Sequence, residues 1–252
     1  MKVGVSGAGG RMGSLAAATI DAAEDLHLIA LYDVYTTGSI AGLTISQDRA
    51  SLDGCDIVVE FSRPDVVMDN MAVWRSFGAN VVVGTSGFDT QRLGALEDLW
   101  ANGPGNCLVV PNFSIGAVLM MKMAEIAAPH FAVAEVLEMH HDEKADAPSG
   151  TAIATAQRIA ALAPHQERRV DSEELHDGAL GADIDNIRVH AIRLPGAVAH
   201  QVVMFGGEGE RLSITHDTSD RSAFMPGVLL AVRSIPAQKN TMAVGLETLL
   251  GI

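Results

Sequence analysis

The sequence predicts an α/β protein built from two different regions. In the first half, short continuous apolar segments alternate with helical patterns, which is typical of a parallel sheet covered by helices on both faces. A glycine-rich turn joins the first strand to the first helix, as in dinucleotide-binding folds. After Pro111 the pattern changes to alternating segments with glycine-rich turns, which predicts a second, α+β region.

Length and charge exclude several classes of protein. The 252 residues suffice for one large domain or two small ones, and 48% of them are hydrophobic. Seventeen basic against thirty-one acidic residues give a net charge of −14, which disfavours nucleic acid and anionic membranes as partners. The chain has no apolar run of membrane-spanning length, and a strand that starts at Lys2 leaves no room for a signal peptide. Cys55 and Cys107 are widely separated, which favours buried free thiols. We therefore expect a cytoplasmic protein that binds neither nucleic acid nor membrane.

The first strand, Lys2–Ser6, precedes a glycine-rich turn that suits a dinucleotide pyrophosphate. Its residues are Gly7, Ala8, Gly9, Gly10, Arg11, Met12 and Gly13. They fit G-x-x-G-x-x-G better than G-x-G-x-x-G, and an ordinary tight turn would have the same glycines. The next strand, Leu26–Tyr32, ends in Asp33, where a carboxylate would accept hydrogen bonds from an adenosine ribose; a solvent-exposed loop acid is the alternative. Val34, where an arginine would bind a 2′-phosphate, favours NADH or the use of both cofactors over strict NADPH preference.

Three further strands are predicted in the first region, at Asp56–Phe61, Asn80–Val83 and Cys107–Val110. Ser62-Arg63-Pro64 predicts a capped helix start after the first of them. Ligands of parallel sheets bind beyond the carboxyl ends of the strands, so the loops there are candidate sites. Those loops contain Gly84, Thr85, Ser86, Pro111, Asn112 and Phe113. A simple turn and a helix cap are the alternatives for these loops.

The second region is predicted to contain helices and a sheet. Val133, Glu135, Leu137 and Met139 alternate as in a strand, and residues 164–186 are predicted to form a long loop. The other predicted elements are a helix at Ile115–Ala128, a helix opening at Thr151, an antiparallel meander of Ile187–Arg193, His200–Gly206 and Glu210–Asp217, and a helix from Arg221 that packs back on the first domain.

The loop between that strand and the helix at Thr151 carries the most chemistry. His140, His141 and Lys144 are followed by Ser149-Gly150-Thr151, a helix start whose backbone N–H groups and dipole attract an anion. Histidine and lysine side chains can donate protons to a bound anion. Neighbouring residues of a strand point to opposite faces, so both histidines serve one pocket only if the strand ends there. A metal site is disfavoured because H-E-x-x-H spacing and paired cysteines are missing, and a solvated polar loop is the other alternative.

Four segments together resemble the dihydrodipicolinate reductase family of the bacterial lysine and diaminopimelate pathway. They are Gly7–Gly13, Val83–Phe88, Pro111–Gly116 and His140–Ala152, and the most specific is the His-His-x-x-Lys-x-Asp-Ala-Pro-Ser-Gly-Thr string. The resemblance covers essentially the whole chain, including His200-x-x-x-x-Phe205, Gly209-Glu210 and His216-x-x-x-x-Arg221.

The resemblance implies a Rossmann-like dinucleotide-binding domain, residues 1–111 plus 222–252. It also implies an α+β substrate-binding and tetramerisation domain on a mixed sheet, residues 112–221, and a homotetramer joined through those sheets. The implied reaction is the reduction of a small cyclic imino dicarboxylate, 4-hydroxy-tetrahydrodipicolinate, with NADH or NADPH and loss of water. The alternatives are another NAD(P)-dependent reductase, of a semialdehyde or amino-dicarboxylate, and a non-catalytic nucleotide-sensing protein.

The resemblance also implies roles for individual residues. The pyrophosphate would bind to residues 7–12 and the adenosine ribose to Asp33, and the nicotinamide would lie against Gly84, Thr85, Ser86, Val110, Pro111, Asn112 and Phe113. The family commonly has a second threonine at the position of Ser86, which keeps the hydroxyl. His140 would donate or accept a proton, and Lys144 would donate one and bind substrate. The other substrate-binding residues would be His141, Ser149, Gly150 and Thr151. The sequence does not choose between His140 and Lys144 as the group that delivers the proton.

Overall fold

The structure is a computed structural model that describes residues 1–162 and 173–252. Strands and α-helices alternate through its first half. In chain order the elements are β1 Lys2–Ser6, α1 Arg11–Asp21, β2 His27–Tyr32, β3 Ser39–Ile40, β4 Leu43–Ser46, β5 Ile57–Glu60, α2 Val67–Ser76, β6 Asn80–Val83, α3 Thr90–Trp100, β7 Cys107–Val109, α4 Ile115–Ala127, β8 Val133–His140, α5 Gly150–Leu162, β9 Ala182–Ile184, β10 Ile187–Arg193, β11 Ala199–Gly207, β12 Glu210–Thr218, α6 Met225–Ser234, β13 Met242–Val244 and α7 Glu247–Leu250.

The described residues divide into two compact units. Unit 1 comprises Met1–Ile115 and Phe224–Ile252, and unit 2 comprises Gly116–Ala223. Each unit contains one sheet: an eight-stranded sheet in unit 1 and a five-stranded sheet in unit 2. The α/β fold class is confirmed.

The sheet of unit 1 has the order β13-β7-β6-β5-β1-β2-β4-β3, and its neighbouring strands run parallel except for the β3–β4 pair. The central strands β5, β6 and β7 are buried along most of their length. This burial explains their runs of valine and isoleucine, because both faces of the sheet are covered. The predicted parallel sheet is therefore confirmed. The strands β3, β4 and β13, which contain two to four residues each, were not predicted from the sequence.

The predicted helix start at Ser62-Arg63-Pro64 is wrong by a few residues, because α2 begins at Val67. The carboxylate of Glu60, the last residue of β5, accepts a hydrogen bond from the Ser62 N–H at 2.7 Å. Thr85 donates its hydroxyl to the Ser62 carbonyl oxygen at 2.8 Å. These bonds hold Ser62 in a loop beyond the strand, so it does not cap the helix.

The sheet of unit 2 is mixed, with the order β12-β11-β8-β10-β9. Strands β8 and β10 are parallel, and the other neighbouring pairs are antiparallel. The predicted antiparallel meander is wrong for β10, because β8 lies between β10 and β11. Helix α5 packs against both β8 and β10 and provides the crossover that a parallel pair requires.

The predicted strand at Val133–Met139 is confirmed as β8, which buries the face of its even-numbered residues up to Glu138. Val133 is 47% exposed, whereas Ala134, Val136 and Glu138 are buried. The alternation starting at Val133 identified the strand correctly, although these odd-numbered residues lie on its less buried face. This assignment matters because it turns the Glu138 side chain into the interior.

Other predictions for the second region are partly confirmed. Of the long loop predicted at residues 164–186, residues 164–172 lie outside the described residues, and the remainder contains β9, which pairs with β10. The C-terminal segment starts with a short 3₁₀ helix, Arg221–Phe224, and continues as α6, which packs against α1 in unit 1.

Both cysteines are buried and free, as predicted. No helix in residues 1–162 or 173–252 is long and apolar enough to cross a membrane.

Candidate functional site

The glycine-rich turn of unit 1 directly follows β1. Gly7 has φ of +73°, a conformation that favours glycine. A Cβ atom added to Gly13 would lie 2.0 Å from the carbonyl oxygen of Gly7, so helix α1 packs this closely on the turn only because Gly13 has no side chain. Gly10 precedes the first residue of α1 and has no side chain to cap the helix. The helix N-terminus is therefore available to an anion at the turn.

Asp33 directly follows β2, the neighbour of β1 in the sheet. One of its carboxylate oxygens accepts a hydrogen bond from the Gly9 N–H at 3.0 Å, and the other accepts bonds from the Tyr35 and Thr36 N–H groups at 2.9 and 3.0 Å. The residue is only 8% exposed. Asp33 is thus a buried carboxylate that ties the glycine turn to the loop after β2, rather than a solvent-exposed loop acid.

A pocket lies between the glycine turn and the loops after β2 and β5. Of the predicted cofactor residues, Gly7, Gly9, Gly10 and Asp33 line it. Val34, the position considered for 2′-phosphate binding, also lines it, together with Tyr35, Thr36, Phe61, Ser62 and Arg63, which were not predicted as cofactor residues. All of them follow the carboxyl ends of β2 and β5, and that position was the signal that could have identified them.

Arg63 is the positive side chain of this pocket's lining. Its guanidinium carbon lies 5.4 Å from the centroid of the Tyr35 ring, and its Nε contacts an Asp65 carboxylate oxygen at 3.1 Å. The Arg63 side chain is 69% exposed, so the ion pair with Asp65 is weak. The pocket therefore offers an exposed cation as well as the Asp33 carboxylate.

The remaining predicted cofactor residues lie in neighbouring parts of unit 1. Ala8 is fully buried, and Arg11 and Met12 form the first turn of α1. The others follow β6 or β7: Gly84, Thr85 and Ser86 in one loop, and Val110, Pro111, Asn112 and Phe113 in the next. The Phe113 ring packs against Phe61 with centroids 5.5 Å apart. The loops after β5 and β7 are thereby in contact beyond the carboxyl ends of their strands.

In unit 2 the predicted substrate loop starts where β8 ends. His140 is the last residue of the strand and His141 is the first residue outside it. The condition under which both histidines can serve one pocket is therefore met. Lys144 donates its backbone N–H to the His141 carbonyl oxygen at 3.2 Å. Its ammonium group contacts a carboxylate oxygen of Asp146 at 2.6 Å, and this hydrogen bond lowers the pKa of Asp146.

The loop ends at the N-terminus of α5. Ser149 is 2% exposed, and its hydroxyl accepts a hydrogen bond from the Ala152 N–H at 3.2 Å, which makes Ser149 the helix cap. Its own backbone N–H donates to Glu138 at 3.0 Å. Gly150 and Thr151 form the first turn of the helix. The first N–H groups of a helix lie outside its own hydrogen-bond ladder and can bind a carboxylate.

Glu138, which the sequence analysis did not identify as a site residue, connects these parts. Its side chain is fully buried. The two carboxylate oxygens contact His140 Nδ1 at 2.6 Å, the Ser149 N–H at 3.0 Å and the guanidinium of Arg193 at 2.9 and 3.0 Å. Burial alone would raise the pKa of Glu138, but these hydrogen bonds outweigh it, so the pKa is lowered.

Arg193 is the second residue that the sequence analysis missed. It is the last residue of β10 and pairs in register with His140 of β8. It also donates a hydrogen bond to the Asp146 carbonyl oxygen at 2.5 Å. The predicted meander did not place Arg193 next to His140, because only a parallel pairing of β8 and β10 does so. No local pattern pointed to Glu138 or Arg193, because only the tertiary structure buries the carboxylate and brings the guanidinium to it.

The environment of His140 favours its neutral form. Burial lowers the pKa of His140, and the nearby charges of Lys144 and Arg193 lower it further. The hydrogen bond to Glu138 raises the pKa but only partly offsets these effects. Within the part of the chain that the structure describes, no group of three or more His, Cys, Asp or Glu residues could hold a metal ion.

Comparisons with known proteins cover the whole chain. The family model described as "Dihydrodipicolinate reductase, N-terminus" matches residues 1–113, and the model described as "Dihydrodipicolinate reductase, C-terminus" matches residues 116–250. The chain is 46% identical over 258 residues to a 4-hydroxy-tetrahydrodipicolinate reductase of Cutibacterium acnes, and 46% identical over 257 residues to one of Thermobifida fusca. These alignments cover 100% of this chain and 99% and 100% of the two relatives.

A solved structure is similar over both units. It is a dipicolinate-bound dihydrodipicolinate reductase from Paenisporosarcina sp. TG-14, with a TM-score of 0.86, 34% identity and coverage of 98% of each chain. Matches to both halves of the chain and nearly half-identical relatives of the same length lead to one conclusion. The chain belongs to the dihydrodipicolinate reductase family.

Proposed function

We propose that this protein reduces 4-hydroxy-tetrahydrodipicolinate to tetrahydrodipicolinate with NADH or NADPH, in lysine and diaminopimelate biosynthesis. The reaction consumes one hydride and one proton and releases water. Membership of the family supports the reaction and the class of cofactor. The structural observation that carries the proposal is that His140 at the end of β8 and Ser149 before the start of α5 bond to the same Glu138 carboxylate, with Lys144 in the loop between them.

Residues 1–111 and 222–252 would form the dinucleotide-binding domain. The turn at Gly7–Gly10 and the N-terminus of α1 suit a pyrophosphate, and Asp33 lies at the end of β2, where an adenosine ribose binds in such folds. The loops at residues 84–86 and 110–113 would bind the nicotinamide. When bound, the cofactor supplies the hydride.

The cofactor would be NADH, or either NADH or NADPH. The Asp33 carboxylate lies in the pocket lining and would repel a 2′-phosphate. Val34 adds no positive charge beside it, whereas Arg63 across the pocket can turn toward a phosphate. These opposing charges support the use of both cofactors over strict NADPH preference.

Residues 112–221 would form the substrate-binding domain. A dicarboxylate needs positive charge or N–H donors at both of its ends. His141 and Lys144 would supply them on one side, and Ser149, Gly150 and Thr151 at the helix start would supply them on the other. The structure from Paenisporosarcina, which is a dipicolinate complex, supports a ring dicarboxylate as the ligand class.

His140 or Lys144 would deliver the proton. In the protein without substrate the lowered pKa of His140 keeps the imidazole neutral at neutral pH. The negative charges of a bound dicarboxylate would raise that pKa and favour the protonated donor. Lys144 is paired with Asp146, whose side chain is 59% exposed, so a substrate carboxylate can replace this partner.

Assembly and location are further parts of the proposal. We infer a homotetramer joined through the mixed sheets of the substrate domains, located in the cytoplasm and without nucleic-acid or membrane partners. The net charge of −14 supports the absence of nucleic-acid and membrane partners, and the two free cysteines support the cytoplasmic location. Neither a semialdehyde reductase nor a nucleotide sensor is favoured, because the relatives that match over full length are 4-hydroxy-tetrahydrodipicolinate reductases.

The decisive assay follows the loss of NADH or NADPH absorbance with freshly generated 4-hydroxy-tetrahydrodipicolinate. We expect turnover by the native protein and losses of about 100-fold or more in kcat for His140→Ala and Lys144→Ala, because each removes a group placed to transfer a proton. NADH affinity should change little in both variants, since both residues lie in unit 2. Folded native protein without turnover would refute the proposal. A variant with normal turnover and lost NADH binding would refute the division of roles between the domains.

A further inference from the structure

Glu138 is a fully buried carboxylate at the proposed substrate loop, yet neither cofactor nor substrate binding as proposed above uses it. It occupies the position two residues before His140 on β8, so the two side chains point to the same face of the strand. The distance from Glu138 Oε2 to His140 Nδ1 is 2.6 Å, a short hydrogen bond, as bonds to ionised groups are shorter than neutral ones.

The other contacts of Glu138 are donors. Arg193 donates two parallel N–H bonds to the two carboxylate oxygens, and Ser149 donates its backbone N–H to Oε1. Such a bidentate guanidinium favours the ionised carboxylate and fixes its plane. An ionised carboxylate can only accept hydrogen bonds, so the proton between Glu138 and His140 belongs to Nδ1. The Nε2 atom then carries the free lone pair of the ring.

We propose that Glu138 is a positioning residue that holds His140 in the tautomer with the proton on Nδ1, so that Nε2 is the atom that exchanges a proton with the substrate. This inference rests on the proposed role of His140. The same carboxylate binds the N-terminus of α5 through Ser149. Glu138 therefore supports both the proton-transfer group and the helix start that is proposed to bind a substrate carboxylate.

Three charged groups act on His140: Glu138 of its own strand, Arg193 of β10 and Lys144 of the loop. Glu138 alone among them raises the pKa of His140. Removing its charge should therefore shift the protonation of His140 to lower pH. A glutamine at this position would also present an N–H group to Nδ1 while its oxygen bonds to Arg193, which favours the opposite tautomer.

Nitrogen-15 NMR of the full-length protein labelled at the histidine rings tests the tautomer directly. The chain has nine histidines, and the His140→Gln variant identifies the resonances of His140. Above the pKa of His140 we expect a protonated Nδ1 and an unprotonated Nε2 in the native protein, and a reversed or mixed pattern in Glu138→Gln. A native His140 with its proton on Nε2 would overturn the inference, and this measurement needs no folded Glu138 variant.

Turnover provides the second measurement. Glu138→Gln should lower kcat by about tenfold or more and leave the KM for NADH unchanged, with the His140 titration displaced to lower pH. Glu125→Gln is the matched control, because it removes a carboxylate of unit 2 that pairs with Lys122 and Arg158 outside the loop. It should leave tautomer and turnover as in the native protein.

The outcomes separate this inference from the proposed function. Native turnover and native tautomer in a folded Glu138→Gln protein would overturn the inference while the reductase assignment stands. If the native protein carries the proton on Nδ1 but does not reduce the substrate, the proposed function fails and the positioning of His140 by Glu138 stands.

Discussion

Replacing Arg193 with methionine would remove the cation that faces the buried Glu138 carboxylate and keep most of the aliphatic volume. Breaking a buried ion pair by removing one partner costs about 3–5 kcal/mol. The Arg193 side chain is 19% exposed while that of Glu138 is fully buried, so solvent partly screens the pair. We therefore expect the free energy of unfolding to fall by about 2–4 kcal/mol. For a chain of this length that corresponds to a decrease in Tm of about 5–15 °C.

The choice of probe decides whether this loss is seen. Both tryptophans, Trp74 and Trp100, lie in unit 1, so their fluorescence does not report on unit 2 directly. Unfolding of the variant should be followed by circular dichroism or calorimetry, with fluorescence as the measure of unit 1. Cofactor binding, measured before heating, shows whether the variant has reached its native state.

The loss should also depend on pH. Because the pKa of Glu138 is lowered in the folded protein, its contribution to stability is present above the ordinary value near 4.5 and disappears as the pH falls through the folded value. The difference between native protein and Arg193→Met should therefore be full at pH 7 and shrink in acid. Glu138→Gln combined with Arg193→Met should be more stable at pH 7 than Arg193→Met alone, since no uncompensated charge remains buried.

Arg233→Met is the control for burial. Arg233 also makes two hydrogen bonds to one carboxylate, that of Asp25, at 2.8 and 2.9 Å, but the two side chains are 44% and 51% exposed. Both pairs are bidentate, through Nη1 and Nη2 in Arg193 and through Nε and Nη2 in Arg233, but the Arg233 pair is exposed, so we expect little change in Tm. An equal loss in Arg193→Met and Arg233→Met would refute the argument that burial makes the Arg193 pair strong.

Two further predictions concern unit 1. Val34→Arg would add a cation beside Asp33 in the cofactor pocket. We therefore expect the ratio of kcat/KM for NADPH to kcat/KM for NADH to rise by about tenfold. An unchanged ratio would show that the 2′-position of the ribose does not face Val34. Burial raises the pKa of the Cys55 thiol to about 11 and also raises that of Cys107, so both should react very slowly with a thiol reagent at pH 8 until denaturant exposes two thiols per chain. A rapidly reacting thiol in the native protein would contradict the buried assignment.

Local patterns sufficed for much of unit 1. The strands at Lys2–Ser6 and Asn80–Val83 have the predicted bounds, and the strands that start near Leu26, Asp56 and Cys107 agree to within one residue at each end. Both faces of the sheet are covered there, so nearly continuous apolar runs mark the strands. The error at Ser62-Arg63-Pro64 arose because a carboxylate at the end of β5 and a hydroxyl from the loop after β6 hold Ser62 in place. Such contacts between distant segments leave no local pattern.

By itself, the sequence determined the parallel first domain, the glycine turn with Asp33, and the loop from His140 to Thr151, because periodicity, turn residues and motif spacing are local properties. The tertiary structure alone decided that β8 lies between β10 and β11 and that Glu138 points inward. It also decided that Arg193 is the partner of Glu138, although 55 positions separate the two residues. The sequence shows that a carboxylate, if it is buried, needs a compensating partner. Which cation compensates it depends on strand order, and strand order is set by the packing of α5 across β8 and β10.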